Sequence, residues 1–241
     1  MDGQVGLMGE TGSGVGPLPL EMVQLSAAMS LDGHIDGCGP APLVLSCPED
    51  CREVHGLRAG MDAILVGAGT VRRDDPRLTV RFPDLIEERR TAGLPEQPAK
   101  VVLTASGDLD PGARFFAVGG PRLVLCPAAK AAHLRSRLGG AAEVVGLPDL
   151  RAGTVLAALA DCGIRRLLVE GGCSVLTLFL EAGAFHRLRL AVAPFFIGGG
   201  DAPRLVGPGR FLHGPGNRLR VERTTLVGDV SVIDLVNNQA G

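Results

Sequence analysis

The chain has no tryptophan and no tyrosine, and aromatic residues fill only 3% of its 241 positions. Proteins that hold single-stranded nucleic acids stack bases on aromatic faces beside a positive groove. A net charge of −2, without any run of Lys or Arg, supplies no such groove here. Nucleic-acid partners are therefore not expected. No apolar run approaches the ~18 residues needed to cross a bilayer, and the N-terminus lacks the charged-then-apolar layout of a secretion signal. The expectation is no membrane partner and a cytoplasmic location.

Other signatures are missing as well. There is no G-x-G-x-x-G, so the standard dinucleotide-binding fold is not predicted. Gly9-Glu10-Thr11-Gly12-Ser13-Gly14 resembles a phosphate loop, but it lacks the Lys-Ser/Thr pair and no strand precedes it. Six cysteines, at 38, 47, 51, 126, 162 and 173, do not make a disulfide scaffold in a chain this long. Cys47-x-x-x-Cys51 is the only close pair, with Cys38, His34 and His55 as conceivable companions. A lone pair of that spacing is not a zinc signature, and no metal is expected.

What is present is core material: 46% of the residues are hydrophobic and 21% charged, which predicts one large α/β domain. A Gly-rich flexible tail is expected over 1–20, a single domain over 21–237 and a short tail over 238–241. Met22–Met29 reads as a strand, followed by Ser30-Leu31-Asp32-Gly33-His34-Ile35-Asp36-Gly37, where Asp-Gly supplies a turn. The stretch from Pro48 reads as a helix, with Pro48 in its first turn, Glu49 and Asp50 at its positive end and Gly60 at its exit. Strands are predicted at 63–66, 100–104, 122–126, 142–145 and 165–169, and helices around 128–138, 149–162 and 174–182. A loop with a short helical piece is predicted over 83–99. The C-terminal part changes character, with strands at 187–193, 218–226 and 230–236 and no helices between them. The pattern predicts a mixed, mostly parallel sheet flanked by helices, with an antiparallel C-terminal edge.

The chemistry gathers at three strand ends. Ala63-Ile64-Leu65-Val66 runs into Gly67-Ala68-Gly69-Thr70, read as a tight turn, and then into Asp74-Asp75-Pro76, Leu78 and Arg81. Leu167–Val169 runs into Glu170, then Gly171-Gly172, then a helix whose free N–H groups suit a phosphate. Ala193–Ile197 runs into Gly198-Gly199-Gly200. Parallel strands would bring all three to one edge. Each alone also suits a plain strand-to-helix turn.

These residues, in this order, resemble a family. Ala27-Ala28-Met29-Ser30-Leu31-Asp32-Gly33, Leu57-Arg58-Ala59, Gly69-Thr70-Val71 with Asp74-Asp75-Pro76-Arg77-Leu78-Thr79-Val80-Arg81, Val169-Glu170-Gly171-Gly172, and Ala193-Pro194 with Gly198-Gly199 match the C-terminal reductase domain of the bifunctional riboflavin-biosynthesis deaminase/reductase and its stand-alone relatives. The resemblance covers roughly 22–236, and its T-V-x-x-D-D-P-x-L-T-V-R block is the specific part. It implies a dihydrofolate-reductase-like fold, NADPH as hydride donor and a homodimer. The implied reaction reduces the ribosyl group of a 5-amino-6-(5-phosphoribosylamino)uracil-type pyrimidine to ribityl.

Carried over residue by residue, Ala28, Thr70, Asp74, Gly171, Gly172, Cys173, Ser174, Val175, Leu176 and Gly199 match cofactor positions. Arg58, Leu78, Arg81 and Glu170 match substrate positions. Two arginines suit a phosphate, because the guanidinium fork is planar and permanently charged. Glu170 or Asp74, directly or through a water, is the candidate proton donor. The sequence departs from the family where a tryptophan is usual: Pro42-Leu43-Val44-Leu45 stands there, and Thr104-Ala105-Ser106 replaces Asp-Ser. The zinc deaminase signature is missing, so deamination is expected of a separate protein. The drifted wall leaves open a same-fold reductase of another heterocycle, a dihydropterin or a specialised-metabolite pyrimidine. A non-catalytic nucleotide-binding subunit is the other alternative, against which Arg58, Asp74, Arg81 and Glu170 stand together.

Overall fold

A computed structural model describes residues 17–39 and 41–240. The Gly9–Gly14 run and most of the expected N-terminal tail lie outside the described residues. Residues 17–20 do not: Leu20 is buried in the core, and at the other end Ala240 is buried too.

In chain order the elements are β1 (Met22–Ser30), α1 (Pro48–Ala59), β2 (Ala63–Gly67), α2 (Ala68–Asp74), α3 (Pro83–Thr91), β3 (Ala99–Leu103), α4 (Arg114–Ala117) and β4 (Arg122–Pro127). They continue as α5 (Ala128–Leu138), β5 (Glu143–Leu147), α6 (Ala152–Asp161), β6 (Arg166–Gly171), α7 (Cys173–Glu181), β7 (Arg187–Ala193), β8 (Arg220–Val227) and β9 (Val230–Val236). Among the described residues the strands form one nine-stranded sheet in the order β5-β4-β3-β2-β6-β1-β7-β9-β8. Only β9 runs against the rest, pairing antiparallel with both β7 and β8.

The strand sequences explain the layering. Successive side chains alternate between faces, and in β2 both faces are apolar. Ala63 and Leu65 join one core with Val155, Leu156, Leu159, Leu176 and Phe179 from α6 and α7. Ile64 and Val66 join the other with Val71, Phe115, Leu134 and Leu138 from α2, α4 and α5. A parallel strand covered on both sides reads as a continuous apolar run, which is what β2 shows.

The structure differs from the sequence reading after β2. The segment read as a tight turn at Gly67–Thr70 starts helix α2 instead, with extended Gly67 before it and left-handed Asp75 ending it. Ala68 and Val71 are buried in the second core, and that packing selects the helix. The loop over 83–99 contains a full helix, α3, begun by Pro83.

Two charged groups fix α1. Arg189 of β7, nearly inaccessible, reaches Asp50 and Glu53 near the helix start, both at 2.6 Å. Arg89 of α3 donates to the carbonyls of Ala59 and Met61 at 2.8 and 2.7 Å, just past the helix end.

Candidate active site

The sheet opens where β1 and β6 part. Their pairing stops at Leu25 against Val169, while β1 stays paired to β7 as far as Ser30. The neighbouring β2–β6 ladder slips there as well, because Leu65 faces Val169 but Val66 faces Gly171. Glu170 is the residue left over. Such a bulge takes a side chain out of the alternation and re-aims it, and Glu170 lines a cleft of about 770 Å³.

The cleft brings together much of what the sequence set apart. Ala28, with its neighbour Ala27, forms one wall from β1. Thr70 and Asp74 enter from α2, Arg58 from α1, and Arg81 from the irregular segment between α2 and α3. Gly172, Cys173, Ser174, Val175 and Leu176 supply the turn and first residues of α7. The Pro42–Leu45 segment, where the sequence departs from the family, forms the outer wall with Ser46. Three predicted residues are not among the lining ones. Leu78 has a left-handed backbone (φ 48°) and a side chain buried in the second core. Gly171 underlies the turn, and Gly199 packs against Cys38 and Ala202.

Arg58 and Glu170 form a bidentate ion pair, with Nε to Oε1 at 2.6 Å and Nη2 to Oε2 at 2.7 Å. The remaining terminal nitrogen donates to the Thr79 carbonyl at 3.2 Å. Burial works against the Arg58 charge, and the Glu170 carboxylate more than offsets it, so the guanidinium pKa is raised. A residue expected to grip the substrate is thus already gripping another predicted substrate residue.

Asp74 has a different environment. Burial raises its pKa, the Asp36 carboxylate reinforces the rise, and Arg73 opposes it. Asp36 itself is a hub. Burial pushes its pKa up, but the Leu43 amide, the Arg73 guanidinium and the Gly37 amide pull it below the ordinary range. Arg73 also donates to the Gly39 and Ala41 carbonyls, so α2 clasps Asp36, Gly39 and Ala41 beside the cleft. The sequence reading saw only a turn at Asp36-Gly37. Asp32 was likewise read as a turn residue, yet its carboxylate accepts from the Ile197 and Gly198 amides at 3.1 and 2.7 Å and ties the end of β1 to the segment after β7.

Arg81 is in no ion pair among the described residues. Its Nε lies 3.1 Å from Nε2 of His55 and its Nη2 lies 3.6 Å from the Cys51 sulfur. Cys47 caps α1 by accepting from the Asp50 amide, and all six cysteines are free thiols. No three His, Cys, Asp or Glu converge as a metal would require among the described residues, and none of the described helices is long and apolar enough to cross a membrane.

A sequence profile described as the RibD C-terminal domain matches residues 21–233. The chain belongs to that family. Among its relatives is the 2,5-diamino-6-ribosylamino-4(3H)-pyrimidinone 5′-phosphate reductase of Archaeoglobus fulgidus, 34% identical over 213 residues that cover 86% of this chain and 94% of the relative. The riboflavin biosynthesis protein RibD of Bacillus amyloliquefaciens is also 34% identical, but the match covers 78% of this chain and only 49% of that protein. In three dimensions this RibD C-terminal domain superposes on a pyrimidine reductase-like protein of Corynebacterium diphtheriae with a TM-score of 0.71 at 21% identity, covering 90% and 91% of the two chains. The fold is the dihydrofolate-reductase-like one expected from the sequence, and the family is one of oxidoreductases of riboflavin biosynthesis.

Proposed function

We propose that the chain is an NADPH-dependent reductase that converts the ribosyl group of a phosphoribosylamino-pyrimidine to ribityl, acting on the 2,5-diamino form ahead of the deaminated uracil form. The length match to the archaeal enzyme, 94% of it against 49% of the bifunctional protein, carries the choice of the diamino substrate. A separate protein then performs the deamination, and the chain works as a homodimer, for which the almost wholly exposed edge strand β8 offers unpaired backbone.

The residues around α7 fit a dinucleotide. Gly172 has φ 71° and ψ 154°, a conformation essentially confined to glycine. A Cβ there would lie 2.7 Å from the Thr70 hydroxyl, inside the cleft. The first N–H groups of α7 have no partner within the helix and suit a pyrophosphate, while Ala27, Ala28 and Val175 give small apolar walls. NADPH supplies the hydride, and the protein supplies alignment, exclusion of water and a proton. Gly172→Ala is expected to weaken NADPH binding at least about tenfold and to cost about 1–3 kcal/mol of stability from backbone strain. Calorimetric titration with NADPH and a urea melt would check both.

Asp74 is the better proton donor of the two carboxyl candidates. Both oxygens of Glu170 already accept from Arg58, whereas burial first and Asp36 second favour the protonated form of Asp74. A general acid must carry its proton, so kcat should fall as pH rises through the pKa of that group. Asp74→Asn should lower kcat about 100-fold and remove that alkaline limb. An unchanged pH profile would take Asp74 out of the reaction.

The test of the function follows NADPH oxidation with the diamino pyrimidinone, its deaminated counterpart and dihydrofolate in parallel, with NADH as cofactor control. Rapid turnover of the diamino compound alone is the expected result. Preference for the deaminated compound would reverse the order of steps, and activity only on dihydrofolate would discard the pyrimidine reading.

A further inference from the structure

The unusual feature near the cleft is how Arg81 is held. It lines the cleft beside the Arg58–Glu170 pair, yet its neighbour is a histidine. His55, on the third turn of α1, is 1% exposed. Its Nε2 lies 3.1 Å from Arg81 Nε, and its Nδ1 lies 3.3 Å from the Arg81 main-chain nitrogen. Phe82 packs edge-on against the ring at 5.2 Å and closes its other side. Among the described residues the only further hydrogen-bond partner of the guanidinium is the Cys51 sulfur, a weak acceptor, so its terminal nitrogens meet no oxygen acceptor there.

We propose that His55 is a positioning residue that fixes the Arg81 guanidinium toward the cleft as the anchor for the substrate's 5′-phosphate. The proposal rests on the pyrimidine-reductase reading and names the group that builds its phosphate subsite. Three physical points support it. First, a neutral imidazole has one ring nitrogen free to accept, and the bond from the charged guanidinium is the shorter and stronger claimant on it. Second, an imidazolium could accept from neither direction. Burial, and then the charges of Arg58 and Arg81, push the His55 pKa down to about 4, against the opposing pull of Glu170. Third, the alternative way to orient an arginine is a carboxylate, as Glu170 does for Arg58. A carboxylate on Arg81 would cancel the charge that a phosphate must meet. A neutral acceptor at Nε restrains a long, rotamer-rich side chain and leaves the two terminal nitrogens as a fork for phosphate oxygens.

The contrast between the two arginines then has a purpose. Arg58 has its charge met by Glu170 and three of its five N–H donors engaged by Glu170 and the Thr79 carbonyl, and belongs to the part of the site that reads polar groups of the sugar or base. Arg81 keeps its charge for the dianion.

The experiment compares wild type with His55→Phe, His55→Gln, Arg81→Met and the double variant His55→Phe/Arg81→Met, using the 5′-phosphorylated pyrimidine and its dephosphorylated form. His55→Phe is expected to raise KM for the phosphorylated substrate roughly tenfold. KM for NADPH and turnover of the dephosphorylated form should stay near wild type, and the Arg81→Met background should suffer no further loss. His55→Gln, which keeps an acceptor oxygen, should recover most of the deficit. Equal losses on both substrates, or additive losses in the double variant, would mean a merely structural histidine and would overturn the proposal. A second measurement does not depend on the substrate reading. Wild type and His55→Gln and His55→Phe are titrated with inorganic phosphate while the Arg81 Nε–H resonance is followed. Saturation shifted at least tenfold upward in His55→Phe and not in His55→Gln supports the proposal. Superimposable curves, or an Arg81 that does not respond in wild type, reject it even if the pyrimidine is turned over.

Discussion

Replacing Arg58 with methionine is expected to reduce kcat/KM for the pyrimidine about 1,000-fold, equivalent to roughly 4 kcal/mol. The guanidinium makes three hydrogen bonds, two to Glu170 and one to the Thr79 carbonyl. The two side chains are only 15% and 13% exposed. Removing one partner of such a pair leaves the other as an uncompensated charge in a partly dry setting, which costs about 3–5 kcal/mol for fully buried pairs. With the residual exposure here, about 2–3 kcal/mol of global stability is a fairer expectation. The larger effect is on the site. Glu170 is held out of the sheet by the bulge and aimed by Arg58, so without its partner it loses both position and counter-charge. Arg58→Lys should recover little, because an ammonium cannot make the fork. Glu170→Gln, which keeps the shape and one acceptor oxygen, should be the milder change. NADPH affinity should stay within a few-fold in all three, since the cofactor contacts proposed here come from α2, β1 and α7. Steady-state kinetics with a calorimetric titration of NADPH separate these effects. Full activity in Arg58→Met would show that the pair is not part of the reaction site.

The second large effect is expected far from the cleft mouth. Arg89→Met should destabilise the fold by about 3–5 kcal/mol, because three carbonyls would lose their donor and each unsatisfied group costs about 1–3 kcal/mol, with some relaxation. The carbonyls are those of Pro95, Ala59 and Met61, at 2.7, 2.8 and 2.7 Å; a fourth, longer bond at 3.5 Å reaches the Arg58 carbonyl, which also accepts from the Met61 amide. Arg89 is 1% exposed and is in no ion pair among the described residues. Burial lowers its pKa and Asp62 only partly compensates, so the carbonyl dipoles must hold the charge. For a domain of this size a melting temperature lower by roughly 8–15 °C follows. The change would also reach the site, since the carbonyls at the end of α1 directly follow Arg58. Arg89→Lys, with fewer donors in a less suitable geometry, should fall between the two. A thermal shift below about 2 °C for Arg89→Met would refute this account of how α1 is terminated.

Much of this architecture was legible because local rules and the global fold agree. The α5 range of 128–138 follows from its apolar spacing, and the Pro48 start and Gly60 exit of α1 follow from capping chemistry. Alternating strands and helices up to α7, then strands alone, set the parallel sheet and its antiparallel addition. Helix α2 was not legible, because Gly67 and Gly69 look like turn residues and only the burial of Ala68 and Val71 makes the segment helical. The site residues were legible as types at strand ends. Their partnerships were not. Arg58 meets Glu170 across 112 positions, and only because the bulge places Glu170 outside the ladder. His55 stood out only as a conceivable companion of Cys47 and Cys51, and nothing tied it to Arg81, since a polar residue on the buried side of a helix breaks the apolar period instead of marking it.

The position of β1 has a consequence for how the molecule comes into being. The earliest of the described strands is the sixth in the sheet order, between β6 and β7, whose partner residues Arg166 and Arg187 lie more than a hundred residues downstream. During synthesis β2 to β5 can assemble as a contiguous parallel ribbon, while β1 has neither neighbour and β2 has one open flank. Non-local pairing of this kind is slow to form and leaves strand edges exposed in the meantime. The cleft, built from β1, α1, α2, β6 and α7, closes only when β6 is inserted between β2 and β1. Release of the chain in segments should therefore give no partially active intermediate: the capacity to bind a dinucleotide should appear in one step, after the α7 residues have left the ribosome.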